Sequence, residues 1–173
     1  MTESLQNNEF SPYNPYKRFT SISKFPPDDT FEEWKHPAYW SKEEIHDLVM
    51  REVGEDNTSP RGFYLLTKLW TPPAQTEGGV LRPEHEQKKQ MIQCTIAKIL
   101  RMGGDSFTDI GKFPSGPLVT YGEWGVFRGN ERQPIGVGEH RLALIADDRF
   151  MCITRNPDKL KTSFELELEW ANH

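Results

Sequence analysis

Glu77-Gly78-Gly79-Val80-Leu81, and later in the chain Tyr121-Gly122-Glu123-Trp124-Gly125-Val126-Phe127, are the two stretches on which the fold turns. In the first, a glycine pair precedes two apolar side chains between strand-like segments. Glycine reaches positive φ without a Cβ penalty, so Val80 and Leu81 can be presented on a loop and captured by an apolar groove. An ordinary Gly-Gly hairpin leading into a strand explains the same residues. The second stretch reads as the turn and strand that close a small β-barrel.

Outward from these stretches the chain reads as β. Gly62 to Trp70 alternates around Phe63, Leu65 and Leu69, and Met91 to Met102 places Ile92, Cys94, Ile96 and Leu100 on one side. Leu118 to Phe127, Pro134 to Val137, His140 to Ala146 and Arg149 to Thr154 follow, separated by Gly-rich or Asp-Asp turns. Short strands at this spacing predict a small barrel or sandwich. Phe164, Leu166, Leu168 and Trp170 alternate with glutamates, which predicts a C-terminal edge strand whose carboxylate face suppresses uncontrolled pairing. Between Val80-Leu81 and the Met91 segment, the charged run Arg82 to Gln90 predicts a stiffened connection or a short helical turn.

Together the Gly-Gly-aliphatic loop and the later Gly-acidic-aromatic-x-Val-Phe strand resemble the GroES-like co-chaperonin family, over roughly Gly62 to Thr154. Lys112-Phe113-Pro114-Ser115-Gly116-Pro117, Gly122-Glu123-Trp124 and Ala146-Asp147-Asp148-Arg149-Phe150 look more like the members encoded by tailed bacteriophages than like bacterial lids. The resemblance implies an all-β, GroES-like barrel. It also implies that Gly78, Gly79, Val80 and Leu81 inherit the loop that docks on the rim of a chaperonin ring. Fold alone does not assign the task, because one fold carries unrelated functions.

Residues 1–60 depart from the single-domain members. The first forty residues hold Phe10, Tyr13, Tyr16, Phe19, Phe25, Phe31, Trp34, Tyr39 and Trp40, interrupted by Pro12, Pro15, Pro26, Pro27 and Pro37. Proline at this density blocks helix interiors and central strands, so an extended arm is expected. Disordered tails are poor in aromatics, which implies a surface on which these side chains sit. That surface is either the chain's own barrel or a neighbour, with Tyr13, Tyr16, Phe19, Phe31, Trp34 and Trp40 as the anchors. Ser41-Lys42-Glu43-Glu44 is a capping box that starts one short helix near 41–53, with Trp40 and Ile45 as a hydrophobic staple. Glu55 to Pro60 then reads as a polar linker. The expected organisation is an arm over 1–60, a barrel over 61–154 and a strand extension over 155–173.

Composition narrows the partners. With 173 residues, one core is expected. No run approaches a membrane span, and Met1 is followed by polar residues, so neither membrane insertion nor secretion is expected. The formal charge of −5 is concentrated in residues 1–60, where six Lys or Arg face twelve Asp or Glu. An acidic arm repels phosphate backbones, so nucleic-acid binding is disfavoured and a basic protein surface suits it better. Cys94 and Cys152, both in apolar segments, read as buried thiols of a reducing compartment.

No HExxH, GxSxG, P-loop or GxGxxG is present, and His36, His46, His85, His140 and His173 have no metal-ligand spacing. Asp147 and Asp148 are adjacent, so their side chains diverge and a turn is the better reading. No cofactor or metal is expected. The sequence thus points to a non-enzymatic, multi-copy or homo-oligomeric tailed-phage structural or assembly protein. It would be capsid-stabilising, decorating or connector-associated, found in the virion or host cytoplasm, and bound to a capsid or connector protein. The alternative is a co-chaperonin that caps a chaperonin ring.

Overall fold

The computed structural model describes residues 35–75, 78–114, 116–129, 131–137, 140–160 and 169–172. Six antiparallel strands form one sheet: β1 (Tyr64–Leu69), β2 (Ile96–Met102), β3 (Trp124–Phe127), β4 (Gln133–Val137), β5 (His140–Ala146) and β6 (Phe150–Thr154), in the spatial order β4-β5-β1-β2-β3-β6. Among the described residues the helices α1 (Lys42–Val53) and α2 (Glu84–Ile92) accompany it.

The connection from β5 to β6 decides the shape of this sheet. Three strands separate them in the sheet order, so in a flat sheet they would lie about 19 Å apart. Only Asp147–Arg149 joins them, and the chain from Ala146 to Phe150 spans at most about 14 Å. The sheet must therefore coil. Within the turn, Asp147 N–H donates to Phe63 O beside β1 (3.0 Å), while Arg149 O accepts from Arg128 N–H beyond β3 (2.8 Å). Two bulges add twist. Leu100 is the extra residue between the Leu66–Arg101 and Thr67–Ile99 pairs, and Met151 the extra residue between Val126–Cys152 and Phe127–Phe150.

Coiling brings side chains from five strands into one core. Leu65, Ile99, Phe127, Ile145 and Phe150 pack there with Phe107 and Val119. Gly125 is required by this packing: a Cβ on it would overlap the Phe150 ring, with Cε1 at 2.7 Å, and would meet Val119 Cγ1 at 3.1 Å. The opposite face is smaller, with Val49 and Val53 of α1 packing on Leu66, Leu100 and Leu142.

Helix α1 starts as its sequence dictates. Ser41 Oγ accepts from Glu44 N–H and the Glu44 carboxylate accepts from Ser41 N–H. Its last turn is held by charge, since Glu52 lies between the cross-strand pair Lys68 and Lys98, at 3.3 and 2.7 Å. Lys68 Nζ also donates to Glu52 O at 2.8 Å, a cation at the helix C-terminus. Residues 56–58 are tied down as well: Arg101 donates to Asp56 O (2.7 Å) and Thr58 O (2.6 Å).

Several expectations are corrected. The sheet has two ends, β4 and β6, and is not a closed barrel among the described residues. Met91 to Met102 is not one strand: the helix-favouring run from Glu84 continues through Ile92, which is 68% exposed, and β2 begins only at Ile96. In Leu118 to Phe127 only the last four residues are strand, because Gly122 takes a positive φ of 80° against Leu48 and turns the chain. Cys152 is exposed on edge strand β6. The C-terminal strand does not run through Trp170, where residues 169–171 are helical; Phe164, Leu166 and Leu168 lie outside the described residues.

Two outcomes follow. Gly125→Ala should lower stability by about 1–3 kcal/mol through overpacking, read as a shifted urea midpoint at constant m-value; an unchanged midpoint would contradict the packing. Burial raises the Glu52 pKa, but the bonds from Lys98 and Lys68 outweigh it and hold the carboxyl below its ordinary value. Its stabilisation is therefore present above the unfolded-state pKa and lost as pH falls through the folded one. Glu52→Gln should cost about 1–2 kcal/mol at neutral pH, and the deficit should shrink on acidification.

Candidate partner-binding surface

The chain leaves the sheet after β1 and returns at β2, and this excursion carries the Gly-Gly loop. At its far end, Gln75 and Leu81 form an isolated antiparallel bridge, and Arg82 N–H donates to Ala74 O at 2.8 Å. Gly79 takes φ 78°, a backbone that an L side chain would strain. Gly78, Gly79, Val80 and Leu81 are thus brought together at a hairpin tip. Val80 is 66% and Leu81 70% exposed.

The base of the excursion is gripped by arginines. Arg141, on β5, donates from one guanidinium to Trp70 O (2.9 Å) and Met91 O (2.5 Å), so it holds both ends of the excursion at one point. Arg132 donates to Ile92 O (2.6 Å) and to Cys94 O. These carbonyls close the C-terminus of α2, where a cation is favoured electrostatically. Nearer the tip, Arg82 donates to Gln90 Oε1 (2.6 Å) and Gln87 to Arg82 O (2.9 Å). The Lys88–Glu84 pair is exposed and adds little. Trp70 is fixed in turn by its indole N–H to Asp158 (2.8 Å). Burial pushes the Cys94 thiol up, which keeps it protonated.

A second feature lies where the N-terminal residues meet the sheet. Trp40 packs against Tyr121 with ring centroids 5.5 Å apart and the planes tilted by 58°, and its indole N–H donates to Lys35 O. Thr120 Oγ1 donates to the same carbonyl at 2.5 Å. A cleft of about 430 Å³ opens beside this pair, walled by Trp40, Tyr121 and Trp124, with Leu48 below and Arg51 and Arg155 along it. Another, of about 440 Å³, is also lined by Trp40 and Tyr121, together with Pro37, Gly104 and Phe107.

Of the expected arm anchors, Trp40 packs on its own chain; Tyr13, Tyr16, Phe19, Phe31 and Trp34 lie outside the described residues. Trp170 is 70% exposed on a helical turn rather than a strand. Asp147 and Asp148 diverge. Asp147 is buried and accepts from Phe107 N–H at 2.7 Å, while Asp148 lies 3.5 Å from Arg149. Burial raises the Asp147 carboxyl, partly offset by the Phe107 N–H. Among the described residues no group of three or more His, Cys, Asp or Glu is placed to hold a metal ion, and no helix is long and apolar enough to cross a membrane. Arg132, Arg141 and the Trp40 cleft escaped the sequence reading, since isolated arginines next to apolar strands carry no periodic signal.

No protein-family model matches the chain, and no curated protein matches its sequence.

Arg141→Met should leave the Trp70 and Met91 carbonyls without their donor, at a cost of about 1–3 kcal/mol. Tryptic cleavage at Lys88 and Lys89 should accelerate, measured by mass spectrometry. Unchanged cleavage would show that the arginine does not hold the excursion.

Proposed function

We propose that this chain is a non-enzymatic structural or assembly protein of a tailed-phage particle, acting through the Gly78–Leu81 tip and the N-terminal arm. The observation that carries the reading is the exposure of Val80 and Leu81 on a hairpin whose base is clamped by Arg141. A clamped base presents an apolar pair in one orientation, which suits a permanent contact in an assembly, where ordering costs are met in advance. The aromatic side chains of the arm suit anchoring on a neighbour, since a few buried aromatics carry most of an interface's energy. We read the coiled, open sheet as a GroES-like fold, a reading supported by the short β5–β6 connection and the five strands sharing a core.

One feature favours a second reading. An exposed aliphatic pair directly after two glycines fits a co-chaperonin loop that docks on a chaperonin ring.

Both readings meet in one experiment, with the protein and its Val80→Asp/Leu81→Asp variant mixed with phage particles or with a chaperonin ring and nucleotide. Both residues are exposed, so the variant should fold normally. The assembly reading expects particle association weakened at least about tenfold by the two aspartates, the loss of roughly 1.4 kcal/mol or more of contact energy, and no binding to the ring. Nucleotide-dependent co-elution with the ring that the variant abolishes would overturn it in favour of the co-chaperonin.

A further inference from the structure

We propose that His36 makes the hold of residues 35–40 on the sheet acid-sensitive: protonating its imidazole undoes the turn that keeps Trp40 docked against Tyr121. His36 precedes the short 3-10 turn Pro37–Tyr39, and its Nδ1 accepts the Ala38 N–H at 3.1 Å. A backbone N–H only donates, so Nδ1 carries a lone pair and the ring is neutral, with its proton on Nε2. The same turn is closed by Tyr39 N–H to His36 O (3.0 Å) and by Trp40 N–H to Pro37 O (3.2 Å). It folds the chain back, so that the Trp40 indole reaches Lys35 O, five residues earlier, at 3.3 Å. Thr120 Oγ1 donates to that carbonyl at 2.5 Å from the segment before β3. One capping bond thus supports the geometry by which this strap is held.

Protonation removes that bond outright. An imidazolium carries N–H on both nitrogens and has no acceptor, so Nδ1–H would confront the Ala38 N–H. His36 is only 7% exposed, beside the Tyr39 ring at 5.7 Å between centroids, so water is poorly placed to solvate the new charge. Burial pushes the imidazole below its ordinary pKa.

The groups around the strap do not compensate. Lys35, next in the chain, lies 2.7 Å from Glu44 of α1, a pair with little net charge. Tyr39 and Tyr121 bring only phenols. Arg51, Glu123 and Arg155 line the first cleft beside Trp40 and sum to one positive charge, which opposes another. The second cleft, which Pro37 and Ala38 line, has Ser106 in its wall and no ionised side chain among the described residues. A neutral form favoured by folding gives stability that is complete above the ordinary histidine pKa and is lost as pH falls through the lower, folded value. Glu44 stays charged through this range, because the bonds from Lys35 and from Ser41 N–H hold its carboxyl below its own ordinary value. Mild acid therefore uncovers Trp40 and Tyr121, the two rings that line both clefts. The inference does not depend on the proposed function, since it concerns only the strap's hold on its own sheet.

NMR on the full chain tests this, following the Trp40 indole N–H and the His36 ring signals together from about pH 7.5 to pH 4.5. The Trp40 indole should lose protection against exchange by about fivefold, the effect of losing one capping bond, with the midpoint of the His36 ring. The Ile99 and Phe127 amides, bonded to Glu123 O and Thr95 O, should stay protected, which separates release of the strap from unfolding. His36→Asn separates the cap from the charge: an asparagine side chain accepts the same N–H and does not titrate, so this variant should stay docked throughout. His36→Ala, with no acceptor, should show at neutral pH the low protection that the natural chain reaches only in acid. A His36 ring that titrates while the Trp40 indole keeps its protection would overturn the proposal. So would a ring that does not titrate in this range, and so would release of Trp40 in His36→Asn at the same pH as in the natural chain.

Discussion

Three residues, Asp147–Arg149, carry the chain between strands that three others separate, and the remaining architecture depends on this shortness. A flat sheet would need a longer connection, so the sheet coils, and coiling turns one face inward from five strands at once. The turn is secured on both sides by backbone bonds to Phe63 and Arg128 and from within by the buried Asp147 carboxylate on Phe107 N–H. Phe107 is the only described non-glycine residue with positive φ, at 58°, and its amide points into that carboxylate. The cost of an unfavourable backbone is thus offset by a hydrogen bond to a buried acid, and the Phe107 ring is delivered to the core, edge-on to Phe113.

A coiled sheet is stiff, and stiffness is what the surface features draw on. Arg141 sits on β5, paired with Gly136 of β4, so the point from which it grips Trp70 and Met91 is part of the sheet's own ladder. The hairpin tip inherits its placement from that ladder instead of from its own short bridge. On the other face, Glu52 between Lys68 and Lys98 holds α1, and α1 carries Leu48 and Arg51 to the cleft beside Trp40. The hairpin base and the cleft are in this way consequences of one sheet, reached by two ion or hydrogen-bond clamps.

The sequence made part of this legible. The β character, four of the strand positions and the Ser41–Glu44 capping box follow from alternation and local side-chain chemistry, which operate over a few residues. Val80 and Leu81, which follow the glycine pair, are exposed. Failures came where tertiary contacts overrode local pattern. Ile92 looks like a strand residue beside Cys94 and Ile96, yet the helix from Glu84 extends through it because Arg132 and Arg141 complete its C-terminus. Cys152 looks buried in an apolar strand, but β6 is the last strand of the sheet and its outer face is open. Trp170 continues a perfect alternation and is nonetheless helical. The cleft was invisible because its lining comes from segments distant in sequence.

The central claim is that the β5–β6 connection forces the coil on which everything else is mounted. A NOESY spectrum of the labelled protein tests it most directly. The account predicts that the Asp147 amide shows contacts to Phe63 while Arg149 shows contacts to Arg128 in the same spectrum, because the turn touches both sides of the sheet at once. Contacts on one side without the other would mean a flatter sheet and would contradict the account.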